Sequence, residues 1–137
     1  MEAERAGALV VMGHTEGMKQ AGALLKEFGL PEGLLPLADV VEVGYVKSSG
    51  YMWIVQKKKV EHTFKLISKQ VSYDKDIHGY IEAGRIKKLN GVKAKELIIW
   101  APVSDIILEN PPTGKLQFKS LAGITKTFPV DAFAAGQ

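Results

Sequence analysis

Few residues in this chain are equipped for chemistry, and their spacing narrows what that chemistry could be. Among 137 residues there are three histidines and no cysteine. Thiolate nucleophiles, disulfides and cysteine-based zinc sites are therefore excluded, and any metal would need histidine or carboxylate ligands. His62 alternates with Val60, Phe64 and Leu66, which puts an imidazole on the inward face of a strand. There it is either a core histidine with one satisfied hydrogen bond or the polar contact of an apolar pocket, able to donate to a ligand carbonyl or act as general acid or base. Asp74, Asp76 and His78 alternate in the same way. Same-face neighbours on a straight strand stand about 7 Å apart and converge poorly on one ion, so no metal site is expected there. Asp76 raising the basicity of His78 is the simpler use of that pair. His62 and His78 are the two catalytic candidates.

Local signatures of catalysis are missing: no glycine-rich phosphate loop, Gly-x-Ser-x-Gly elbow or His-Glu-x-x-His motif occurs. Ser104, Asp105 and His62 could make a hydrolytic triad only by meeting in space. No cofactor is implied. Two basic clusters occur, Lys57-Lys58-Lys59 and Arg85 with Lys87 and Lys88, and Tyr51 and Trp53 lie near the first in sequence. Aromatics beside lysines suit a single-stranded nucleic-acid platform, but a sheet with one face in water gives the same pattern, and nucleic acid is not the favoured partner. The net charge of +3 and pI of about 9.0 permit attraction to an anionic membrane surface without requiring it.

The elements that must position these groups follow from periodicity and turn chemistry. Residues 1–14 read as a tail, in which Ala8 to Met12 is too short and wrongly flanked for a signal peptide or membrane span, so a cytoplasmic protein is expected. Thr15 is placed to cap a helix over 15–29 with Met18, Ala21, Leu24, Leu25 and Phe28 on one stripe, ended by Gly29 and Pro31. Prolines and glycines over 29–36 make a linker into a strand from Val40 to Val46. A turn at Lys47–Gly50 then leads to a returning strand, Tyr51 to Gln56, with Tyr51, Trp53 and Val55 on one face. Asn90-Gly91 predicts a type I′ hairpin turn. Leu97-Ile98-Ile99-Trp100 lacks alternation and is expected to be buried on both faces, and Pro102 to force an edge, bend or bulge. Asn110 to Gly114 is a turn, and Gly123 interrupts the last strand.

On these elements Leu34-Leu35-Pro36, the run from Gly91 through Trp100-Ala101-Pro102-Val103, and the ending from Gly114 through Phe128-Pro129-Val130-Asp131-Ala132-Phe133 resemble the plant-specific domain of unknown function 538 family. The resemblance runs from about the helix to Phe133. It implies a mostly antiparallel, two-sheet, barrel-like domain behind an N-terminal helix, a plant source and stress-associated expression. It also brings likeness to bactericidal permeability-increasing lipid-binding proteins, and binding or hydrolysis of chlorophyll, with no agreed catalytic residues. His78 stands where the family has a small hydroxyl residue.

The expectation is a single mainly-β domain over 1–137, an antiparallel sandwich or barrel of about seven strands over 38–133 with one N-terminal amphipathic helix. Its expected function is to bind an apolar or amphipathic small molecule such as a lipid, a pigment or a phenolic metabolite. Tyr45, Trp53, Phe64, Trp100 and Phe118 would form the wall, with His62 as the polar contact. The rival readings are a cofactor-free hydrolase or cyclase using His62 or His78, and an interaction module that meets proteins or membranes through its basic face.

Overall fold

Nine strands, each paired antiparallel with its neighbours, make one sheet in the computed structural model, which describes residues 2–137. The elements are α1 (Glu2–Arg5), β1 (Leu9–Met12), α2 (His14–Glu27), β2 (Val40–Tyr45), β3 (Tyr51–Gln56), β4 (Val60–Phe64), β5 (Lys69–Glu82), β6 (Arg85–Glu96), β7 (Ile99–Leu108), β8 (Lys115–Ser120) and β9 (Thr125–Pro129). Short 3₁₀ turns occupy Glu32–Leu34 and Val130–Phe133. Sheet order is β1-β2-β3-β5-β6-β7-β8-β9, and β4 pairs with the first half of β5. The fold is mainly β with one substantial helix, as expected. It differs from a seven-stranded two-sheet barrel in strand count and in closure, since among the described residues no ladder joins β1 to β9.

The sheet nevertheless curls around a single core. Phe133, after β9, stacks on Phe118 at 5.3 Å and meets Phe64 of β4 at 4.8 Å. Residues from α2 to Phe133 belong to one buried cluster. The bend is made in the long β5/β6 ribbon, where register breaks between Tyr73 and His78 and again before Tyr80. Asn90-Gly91 sits inside β6 at this bend and is not a hairpin turn. Gly91 has a φ of 91°, and a Cβ there would lie 2.4 Å from the Asp76 carbonyl, so its tolerance of positive φ serves a bulge. Buried Gln56 ties the bend down by donating to the Tyr73 and Asp74 carbonyls at 3.0 and 2.9 Å while accepting from the Ala38 N–H.

α2 covers β2 and β3. It starts at His14 and not at a Thr15 cap: Gly13 holds the N-cap position without a side-chain bond, and His14 Nδ1 accepts from the Val40 N–H at 3.1 Å. Its buried stripe is Gly17, Ala21, Leu24 and Leu25. Gly17 lets the helix approach β2 closely, since a Cβ there would come 2.6 Å from Val40 Cγ1. The N-terminal segment expected as a tail supplies edge strand β1, paired to β2 from Leu9↔Tyr45 to Met12↔Glu42.

Candidate functional site: an apolar pocket between two hairpin ends

β7 begins Ile99-Trp100-Ala101-Pro102, and these four residues have no partner on β8, whose pairing with β7 stops at Val103↔Ser120. Proline cannot donate to a ladder, and the register slips just beyond it, between Val103 and Asp105. In place of a ladder, the Leu121 N–H from the β8–β9 turn donates to the Pro102 carbonyl at 2.9 Å. The β6–β7 and β8–β9 hairpin ends therefore splay, and a pocket of about 430 Å³ opens between them. Trp100, Val103, Phe118 and Phe128 form its apolar walls, and Ile99 and Ile124 form its rim. Phe118 and Phe128 meet edge to face at 5.5 Å, so the wall is continuous with the aromatic core.

One polar corner completes the pocket. Glu96 takes Lys69 Nζ at 2.9 Å and Lys126 Nζ at 3.1 Å, and both Glu96 and Lys126 line the pocket. Burial pushes the Glu96 carboxyl up, but hydrogen bonds and charge from the two lysines outweigh this and hold it below the ordinary carboxylate range. The Lys95 ammonium sits 5.8 Å from the Trp100 ring. On the other side of Glu96 runs an open polar groove of about 570 Å³ lined by Lys69, Lys95, Leu97 and Lys126.

The hairpin tip beside the pocket reverses the expectation of burial. Leu97 is 94% exposed and Ile98 92%. They form a two-residue connection between Glu96 and Ile99, with Leu97 at a φ of 56°. The turn contains no Gly, Asn, Asp or Pro, so turn chemistry could not mark it. A run of apolar residues preceded by Lys93, Lys95 and Glu96 was the available signal. Leu66, expected inward with His62, is also exposed, because β4 ends at Phe64 and a turn follows.

The expected wall residues divide among three places. Trp100 and Phe118 line the pocket. Tyr45 and Phe64 belong to the closed core, Tyr45 edge-on to Phe28 and Phe64 against Phe133. Trp53 lies on the opposite face of the sheet in a small cluster with Tyr51 and Val46. Its indole donates to Glu42 at 2.6 Å under the Arg5 guanidinium, which is 4.4 Å from the ring.

His62 does share a face with Val60 and Phe64, but it is half-buried at the other side of the barrel-like core. It donates from Nε2 to the main-chain oxygen of Gln137 at 2.7 Å and stacks edge-on to Phe64. His78 stands opposite Trp53 and Asn90, 6.2 Å from the Tyr51 ring. Neither histidine lines the pocket. Ser104 donates to the Lys119 carbonyl and Asp105 is held by Arg85 at 2.6 Å, so these residues and His62 are engaged with three different partners and make no triad. Among the described residues, no three His, Asp or Glu side chains gather where they could hold a metal ion, and no helix is long and apolar enough to cross a membrane.

Residues 21–134 match the model of the family described as Protein of unknown function, DUF538. That is well over half the chain, and the chain belongs to this family. No curated protein and no solved structure matches it.

Proposed function

From membership in a family without an assigned activity, we propose that this chain binds an apolar or amphipathic small molecule, with its apolar body against Trp100, Phe118 and Phe128 and any polar end toward Glu96 and Lys126. The observation that carries this reading is the pocket between the hairpin ends: about 430 Å³, walled by aromatic and aliphatic side chains, with a single charged corner. Small-molecule sites have this composition and size, a mostly apolar cleft of roughly 300–1,000 Å³ with a few convergent polar groups. An acyl chain, a flat pigment ring or a phenolic metabolite has the matching chemistry. A plant source, stress-associated expression and a cytoplasmic location belong to the same proposal. Catalysis by His62 or His78 draws no support from the geometry, because neither faces the pocket.

Native mass spectrometry after incubation with a lipophilic leaf extract tests the proposal. Retention of a small molecule by the wild type and by His62→Ala, but not by Ala101→Phe, is the expected result, since Ala101 lines the pocket and a phenyl ring there would fill it. Retention undiminished in Ala101→Phe, or no retention by the wild type, would contradict it.

A further inference from the structure

Six of the nine large apolar side chains that the described residues leave exposed sit on three hairpin ends: Leu66 on β4–β5, Leu97, Ile98 and Ile99 on β6–β7, and Leu121 and Ile124 on β8–β9. Contacts tie these ends together. Lys69, just after the first turn, reaches the Lys95 carbonyl and Glu96. Lys126, just after the third, reaches Glu96 as well, and Leu121 bonds to Pro102.

The charge of this end is equally one-sided. Lys65, Lys69, Lys95 and Lys126 lie in or beside the three turns, against one carboxylate, Glu96, while Lys93 and Lys119 stand further along the strands, level with Glu61 and Asp105. The surplus at the turns matches the +3 of the whole chain, so the remainder of the molecule carries no net charge. Folding does not account for the tip. Leucine at a φ of 56° occupies backbone that two-residue turns normally give to glycine, asparagine or aspartate, and at 94% exposure it recovers nothing by burial.

We propose that this end of the molecule docks on anionic phospholipid bilayers, with Leu97, Ile98 and Ile99 inserted at the headgroup–acyl boundary and the surrounding lysines against lipid phosphates. Trp100, half-buried next to the tip in sequence with Lys95 over its ring, is the residue type favoured at a membrane surface. The groove lined by Lys69, Lys95 and Lys126 offers ammonium groups beside the apolar tip, where a headgroup phosphate would lie. Charge complementarity selects this occupant over a second copy of the chain, which would set two lysine-rich ends against each other. The proposal does not rest on occupancy of the pocket.

Cosedimentation with vesicles of phosphatidylcholine and phosphatidylserine, about 70:30, tests it. The wild type should bind these vesicles, bind pure phosphatidylcholine far more weakly, and lose affinity as salt rises from about 0.05 to about 0.5 M. Leu97→Asp with Ile98→Asp should lower the partition coefficient at least ~10-fold, given what burial of two aliphatic side chains contributes, with an unchanged circular dichroism spectrum because both are surface positions. Glu96→Gln should raise it, and Ala101→Phe should leave it unchanged, which separates this proposal from the pocket's. No binding to anionic vesicles, binding that ignores the double substitution, or self-association through the tip in place of vesicle binding would each overturn it.

Discussion

The two sides of the curled sheet dispose of apolar surface in opposite ways. Where α2 lies on β2 and β3, the seam among Ala21, Leu24, Val43 and Ile54 has no space for a water molecule. Between β6–β7 and β8–β9 no helix intervenes, aromatic walls face a pocket, and the turns carry bare leucine and isoleucine. One chain, folded around one core, seals the first and leaves the second open. Residues in the sealed region should answer mainly in stability, and those at the open end mainly in binding.

The largest expected effect belongs to the closed core. Phe133→Ala removes a fully buried ring from contact with Phe64, Phe118 and Phe128 and should cost about 3–5 kcal/mol, read from a urea midpoint. Ile98→Ala, at an exposed tip, should cost less than ~0.5 kcal/mol in the same assay. Next comes a pair within α2. Gly17→Ala drives a methyl into Val40 and should destabilise by about 1–3 kcal/mol, whereas Gly22→Ala, facing open space, should stabilise by roughly 0.5–1 kcal/mol. Equal responses would show that the helix does not press on β2 at Gly17.

A smaller effect sharpens the contrast from the other side. Leu97→Gly relieves the positive φ and should raise stability by up to about 1 kcal/mol while weakening vesicle binding. The smallest concerns pH. The Glu96 carboxyl is held below its ordinary value in the folded chain, so its stabilisation is full above the unfolded carboxylate pKa and is lost as pH falls through the lowered folded value. Partial exposure of its lysine partners keeps this under ~1 kcal/mol. Glu96→Gln should flatten the acid side of the Tm profile by that amount.

The mainly-β fold and its helix were legible in the sequence, the division between the two ends was not, and the reasons are physical. Strands such as Tyr51–Gln56 were legible because a run of aromatic and β-branched residues follows a glycine turn. Asn90-Gly91 misled because the same tolerance of positive φ that makes a hairpin turn also makes a bulge, and only the length of the β5/β6 ribbon distinguishes them. The apolar run Leu97–Trp100 misled more deeply. Hydrophobicity argues for burial, and a turn made of leucine and isoleucine breaks the usual match between local chemistry and fold. Trp100 and Phe118 line the pocket while Trp53 and Phe64 do not, and sequence could not separate them, because they are alike in type and differ only in what packs on them. His62 was placed on the correct face, but its partner, the main chain at Gln137, lies 75 residues away and had no local signature.

The most direct test of the division is a methyl-resolved NMR titration of isotopically labelled protein with dodecanoate as the probe. Shifts confined to Ile99, Val103 and Ile124, with Leu24, Leu25 and Ile54 unmoved, are the expected result. Shifts beneath α2, or none at the hairpin ends, would contradict the claim that the uncovered end is where this protein binds.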